Sequence, residues 1–340
     1  MLIDHRDPFI QTIDEAKTIQ STRDLADKVI DISDSALRQT RLLAGNHLNP
    51  FFVPRQNPQG NALNAVQALY LISQLRMAAA NGAGERLVVS APMKTGSTYL
   101  SQVLYLAFGA NPVNLSLLTM RPFDHALYGA GARSHEIDEL ALLYNCMEKK
   151  GFVAHHHMLC TPMLTKQIEL YNLKFILLKR NIFDCIVSLD DYMRKFLTVL
   201  GDSAEVYRRK QLPTGWVNLA TEERIHHLLD GFLTFYVDYY VSWSFHEMPA
   251  QVSPLWLSYE EDLLGEKEAI TSKICSWAGR GDADADKLLK EFKRERDGGQ
   301  FHFNKGVAGR GKAIQGKNRE RVIAAFDAFK GLVDWTELLD

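Results

Sequence analysis

Four short apolar runs, each leading into a segment of helical period, constrain this chain more than any other feature. Leu87-Val88-Val89 precedes a helical pattern at Ser97 to Phe108, and Gly151 to His157 precedes one at Pro162 to Leu170. Lys174 to Leu178 leads into an amphipathic stretch from Phe183 to about Phe196, and Val252 to Ser258 precedes Lys267 to Trp277. Strands apolar on both faces, alternating with helices, belong to parallel sheets covered on both sides. The pattern predicts an α/β fold with three α/β/α layers and a mostly parallel central sheet over residues 85–340. Ligands of such sheets sit beyond the carboxyl ends of the strands. The residues just after each run are therefore the candidates for chemistry.

The chain has 340 residues, which at about 150 residues per domain suggests roughly two units. Residues 1–84 read as an N-terminal helical region. Leu25, Val29 and Ile32 recur at i, i+4, i+7, and Leu63, Val66, Leu69 and Ile72 continue near that period. A proline-bearing loop from Asn49 to Gly60 separates the two patterns, and Asn-Gly-Ala-Gly at 81–84 stops the second. A helical pair cannot bury both its faces, so this region is expected to pack on the main domain.

Composition narrows the function classes. With 39 Lys+Arg against 41 Asp+Glu the formal charge is −2, so no global field draws the chain to nucleic acid or anionic lipid. An anionic ligand would need a local cluster of cations. The four cysteines, at 146, 160, 185 and 275, show no CxxC pairing, which argues against a zinc site or disulfide framework. The first residues lack the basic and apolar regions of a signal peptide, and Phe232 to Trp243 is broken by Thr234, Asp238 and Ser242. A cytoplasmic protein without a membrane span is expected.

After the first run comes Pro92-Met93-Lys94-Thr95-Gly96-Ser97-Thr98-Tyr99. A loop feeding a helix N-terminus offers unpaired backbone N–H groups and the positive end of the dipole, a natural phosphate site. Gly96 permits close approach, Lys94 adds a charge, and Ser97 and Thr98 add hydroxyl donors. An ordinary strand–turn–helix with a hydroxyl cap would read the same way. A Walker A loop requires Lys directly after its second Gly, whereas Lys94 stands two residues before Gly96. That disfavours an enzyme hydrolysing ATP or GTP.

Three later segments join that loop, two of them after the third and fourth runs. Lys179-Arg180-Asn181-Ile182-Phe183-Asp184 ends with Ser188 eight residues past Arg180, so an Arg fork and a Ser hydroxyl could converge on one phosphate. Ser258-Tyr259-Glu260-Glu261-Asp262-Leu263 follows the fourth run, and Lys305-Gly306-Val307-Ala308-Gly309 lies near the C-terminus. From Lys293 to Arg321 nine Lys/Arg stand against three Asp/Glu, a local net of +6 in a glycine-rich stretch. Such runs are usually solvated faces, yet in a neutral protein a glycine-rich basic loop is the better candidate for an anion ligand.

In order and spacing these four segments resemble those of the sulfotransferases that use 3′-phosphoadenosine 5′-phosphosulfate (PAPS). Lys94 to Tyr99 is similar to the family's K-[ST]-G-[ST]-T-W loop, Arg180 to Ser188 to R-N-P-x-D-x-x-x-S, Tyr259 to Leu263 to Y-E-D-[LM], and Lys305 to Gly309 to R-K-G-x-x-G. The resemblance runs from about 87 to 330. It implies that Lys94, Thr95, Gly96, Ser97, Thr98 and Tyr99 hold the 5′-phosphosulfate and adenine, that Arg180, Ser188, Lys305 and Gly306 hold the 3′-phosphate, and that Tyr259 belongs to the nucleotide site. Tyr99 stands where the family has Trp. Asn304 stands where the family has Arg, which leaves Arg310 or Lys312 to supply charge. Arg310-Gly311 replaces an acidic-aromatic pair, and the dimerisation pattern of animal cytosolic members is absent, so no oligomeric state carries over.

Transfer of a sulfuryl group to an alcohol needs in-line positioning, charge stabilisation and a base. No metal is expected, since the moving SO₃ carries less charge than a phosphoryl group. His155-His156-His157 end the second run, with His155 and His157 on one face and His156 on the other. The resemblance aligns this place with K-x-H, making His157 the base and His155 the lysine's replacement. A register slip would move the base to His156, and packing histidines or a metal pair are the competing readings. Asp190-Asp191, His226-His227 and Arg208-Arg209-Lys210 read as solvated faces, and Tyr207 and Trp216 lie in a stretch that shapes the acceptor pocket in related enzymes. The expected function is transfer of sulfate from PAPS to an acceptor hydroxyl, releasing 3′-phosphoadenosine 5′-phosphate (PAP). A nucleotide-dependent kinase and a non-catalytic phospho-ligand module are the alternatives.

Overall fold

The apolar runs pair in parallel, as residues apolar on both faces require. The structure is a computed structural model and describes residues 8–16, 18–49, 51–55, 65–116, 136–200, 207, 211–245, 253–294, 307–332 and 334–340. Its sheet comprises β1 (Arg86–Ser90), β2 (Asn111–Val113), β3 (Phe152–His156), β4 (Lys174–Lys179) and β5 (Leu255–Ser258), in the order β2-β3-β1-β4-β5. Every pairing is parallel. Register brings Ser90 beside His156 and Leu177, and Lys179 beside Ser258, so the carboxyl ends of β3, β1, β4 and β5 share one rim.

Alternation along the strands divides the core in two. Val88, Ala154, Phe175 and Leu177 face one layer, which includes the long helix Thr221–Phe245. Leu87, Val89, Val153 and Ile176 face the other, with helices Ser97–Phe108, Lys267–Ala278 and Asp282–Lys293. This is the expected three-layer α/β/α arrangement. The edge strand β2 was not legible, because Asn-Pro-Val is too short and proline-broken to give an apolar signal. The helix Asp282–Lys293 likewise hides behind acidic composition; only Leu288 and Phe292 of it are fully buried.

The described part of the N-terminal region is helical. Helices Pro8–Glu15, Ile19–Ile30 and Ser35–Leu48 close a small core of their own around Phe9, Ile13, Ala26, Val29, Ala44 and Phe52. Thr18 caps the second helix by accepting the Ser21 N–H at 3.0 Å. The period at Val66, Leu69 and Ile72 falls on helix Ala65–Ala80, where Val66 is 75% exposed and Leu69 65%. This helix contacts the Glu139–Met147 helix, with Ala79 buried and Leu75 packed on the main core. Small residues allow that close approach, so the large apolar side chains turn outward. Leu63 lies outside the described residues.

Asp190 is also not on a solvated face. It is buried and takes a two-pronged hydrogen bond from Arg224, at 2.8 and 3.0 Å, with Arg194 at 3.2 Å. Asp191 pairs with Arg194 and with Arg310. The Arg208-Arg209-Lys210 run lies outside the described residues, whereas His226 and His227 do sit at the surface beside Asp230. Tyr207 and Trp216 are core residues, and Trp216 Nε1 donates to the Arg224 carbonyl at 3.0 Å.

Candidate nucleotide site

The loop between β1 and the Ser97–Phe108 helix is fastened by its carbonyls. The hydroxyls of Tyr239 and Tyr236, one helical turn apart on Thr221–Phe245, donate to the carbonyls of Ser90 at 2.8 Å and Met93 at 3.0 Å. Arg180 Nη1 donates to the Lys94 carbonyl at 2.7 Å, and the Thr95 hydroxyl donates to Pro92 at 2.8 Å. Thr95 is thereby spent on the turn itself. Both tyrosines escaped the sequence reading; their signal is a polar tip inside an apolar helical stripe, which burial demands be satisfied.

With the carbonyls tied down, the helix start faces the opposite way. Gly96 occupies the N-cap with φ +89°, and no side chain caps the helix there. A Cβ at Gly96 would lie 2.9 Å from Leu263 Cδ1 and 3.1 Å from the Tyr259 ring, so both backbone and packing require glycine. The uncapped first turn leaves orphan N–H groups and the positive dipole end for an anion.

The three histidines divide cleanly. His156 Nε2 accepts the Leu115 N–H at 2.9 Å, which commits that nitrogen to the backbone. His157 Nδ1 lies 2.5 Å from the Ala91 carbonyl; a carbonyl only accepts, so Nδ1 carries the proton and Nε2 is the basic nitrogen. His155 Nε2 lies 2.8 Å from Ser97 Oγ, and its ring stands edge-on to that of His157 at 5.3 Å. One face of the strand end therefore carries His155 and His157 toward the loop, and the other carries His156 into the fold.

Arg180, buried at the end of β4, joins three of the four sequence segments. It donates to the Lys94 carbonyl, stacks 3.8 Å from the centre of the Tyr259 ring, and donates through Nη2 to the Val307 carbonyl at 3.3 Å. Among the described residues its buried Nε–H has no hydrogen-bond partner. Burial raises the Tyr259 phenol above its ordinary value, against the lowering by Arg180. Asp184 then fastens the C-terminal segment by accepting the N–H groups of Gly309 and Gly311.

Lys94 takes a left-handed conformation, φ +66°, and sends its ammonium to within 4.2 Å of the Tyr192 ring centre. Burial first, and the neighbouring Arg180 guanidinium second, push its pKa down to about 8. Tyr99 packs on Phe292 at 6.3 Å between ring centres and donates its hydroxyl to the Phe292 carbonyl at 3.3 Å. Thr98 is half-buried on the first turn, and Ser188 is buried on helix Ile182–Leu200. Lys305, Gly306 and Asn304 lie outside the described residues. Arg310 cannot serve as a ready replacement cation, because its guanidinium is paired with Asp191.

The fold and this rim define a parallel α/β protein whose loop-to-helix turn after β1 carries no side-chain cap. No family model matches the chain, and no curated protein matches it in sequence. Among solved structures, the crystal structure of mouse sulfotransferase SULT7A1 complexed with PAP matches at 17% identity and a TM-score of 0.46, covering 75% of this chain and 88% of that one. No helix among the described residues is long and apolar enough to cross a membrane.

Proposed function

We propose that the chain is a PAPS-dependent sulfotransferase that moves a sulfuryl group to an acceptor hydroxyl. The observation that carries this reading is the convergence on Arg180: segments 79 to 127 residues away from it in sequence, singled out by their resemblance to one family, meet around its guanidinium. The site also fits the nucleotide electrostatically. Its helix N-terminus is uncapped, and the Arg180 Nε–H and the depressed Lys94 both gain from an anion.

PAPS, when bound, supplies the activated sulfuryl group. The uncapped turn at Ser97, Thr98 and Tyr99 and the Lys94 ammonium bind and orient the anionic end. Lys94 places positive charge where the leaving phosphate gains negative charge. Arg180, Ser188, Lys305 and Gly306 are assigned to the 3′-phosphate, and Tyr259 holds both Arg180 and Gly96 in place. His157 takes the acceptor proton at Nε2, with the Ala91 carbonyl fixing its tautomer. His155, beside Ser97, is the second histidine of the site.

Thermal unfolding with PAP and with ATP, each with and without magnesium, tests the cofactor. Ligand at a hundred times its Kd adds about 2.7 kcal/mol. A metal-independent rise in Tm with PAP alone supports the proposal; a rise only with ATP and magnesium replaces it with the kinase reading. His157→Ala is expected to lose sulfate transfer and keep PAP binding. PAP binding without transfer to any acceptor in a broad screen would leave a phospho-ligand module.

A further inference from the structure

We infer that Tyr192 is a positioning residue for Lys94, its ring face carrying the ammonium beside the loop in both the free and the anion-bound protein. This rests on the proposed nucleotide site and assigns it a part that none of the four sequence segments contains. The Lys94 carbonyl is pinned by Arg180 at 2.7 Å and by the Cys185 thiol at 3.8 Å, so the side chain is directed at helix Ile182–Leu200. There Nζ lies 4.2 Å from the Tyr192 ring centre. The ring is itself held, stacked on Phe196 one turn later at 5.7 Å and 21°.

The choice of a ring rather than a carboxylate has a chemical consequence. A carboxylate would neutralise the cation and compete with an incoming phosphate, whereas a ring face attracts charge without donating or accepting a hydrogen bond. The carboxylates of the same helix are engaged elsewhere: Asp184 by Gly309 and Gly311, Asp190 by Arg224 and Arg194, Asp191 by Arg194 and Arg310. The charged groups bearing on Lys94 are Arg180 and Lys195, which oppose its protonation, and Asp191, which favours it, with the Cys185 thiol also adjacent. Tyr192 sits among them as a partner that favours the charged form and leaves its donors for the ligand.

The test is PAP affinity by calorimetry from pH 6.5 to 9.5 for wild type, Tyr192→Phe, Tyr192→Leu and Tyr192→Met. Wild-type affinity is expected to fall above about pH 8, where Lys94 loses its proton. Tyr192→Phe keeps that midpoint. Tyr192→Leu and Tyr192→Met move it down by about half a unit to one unit, the scale of a lost ring–cation contact, and weaken binding about three- to tenfold at pH 8.5 with little change at pH 6.5. An unmoved midpoint in the aliphatic variants overturns the inference. So does tighter binding at pH 6.5 with no change at pH 9, which would make the ring a seat for the free protein alone. Absence of PAP binding by wild type at every pH would instead overturn the proposed function, and the two failures are distinguishable.

Discussion

Asp184 accepts the backbone N–H of Gly309 at 2.7 Å although 125 residues separate them in the chain. The same carboxylate takes the Gly311 N–H, and Gly311 lies so close to Phe183 that a Cβ there would be 2.3 Å from the Phe183 Cβ. The stretch around Gly309 and Gly311 is thus fixed by a buried carboxylate and a missing side chain.

Gly311→Ala is expected to dislodge that segment. Overpacking of this kind costs about 1–3 kcal/mol, and the proposed site predicts a fall in PAP affinity as well. Thermal denaturation and calorimetry on the same sample check both. Unchanged Tm and affinity would mean that the contact gives way freely.

His156 and His157 are expected to fail differently. His156→Ala leaves the Leu115 N–H unpaired inside the fold, at a cost of about 1–3 kcal/mol. Its Tm should fall while the folded fraction still binds PAP. Normal stability with lost turnover in that variant would transfer the base from His157 to His156.

Removing Arg224 should be among the most damaging single changes. Arg224→Leu strands Asp190, a buried carboxylate with Arg194 as its remaining partner, and breaking buried pairs costs about 3–5 kcal/mol. Retention of Arg194 places the expectation at the lower end. Urea unfolding measures it, and a loss below about 1 kcal/mol would contradict the burial of the pair.

Lys94 gives the free protein a signature in alkali. Its folded pKa, about 8, lies below the ordinary lysine value of 10.5, so between these the unfolded chain holds more protons and stability rises with pH. Below about 8 both states are protonated and the burial penalty is fully present. Burial pushes the thiols of Cys146, Cys160 and Cys185 up to about 11, 12 and 12, which pulls stability the other way as pH rises. The difference between wild type and Lys94→Met is therefore the readout: the variant is more stable near pH 7, and its advantage shrinks toward pH 10.5. An advantage independent of pH would place Lys94 outside this account.

Much of this was legible because the inner strands are apolar on both faces and the loops follow them directly. The runs at Leu87, Phe152, Phe175 and Leu257 state their own burial, and Lys94, Gly96, Arg180 and Tyr259 fall at strand ends where a parallel sheet gathers ligands. Residues whose role is set by partners distant in sequence were not legible. Tyr236 and Tyr239 look like stripe aromatics until their hydroxyls are seen on the loop carbonyls. Asp190 looks like a surface charge because Arg224, its partner, is 34 residues away. The stripe at Val66 and Leu69 marks a helix without telling which face is covered: period reports an apolar face, and tertiary packing at Ala79 uses another.

One guanidinium touches both ends of the site, since Arg180 holds the Lys94 carbonyl and the Val307 carbonyl together. Free energies linked through a shared element are reciprocal. Whatever steadies the C-terminal segment steadies the Lys94 loop by an equal amount, and whatever loosens one loosens the other. If the proposed site holds an anion at each end, a two-phosphate ligand is expected to bind more tightly than the product of its halves.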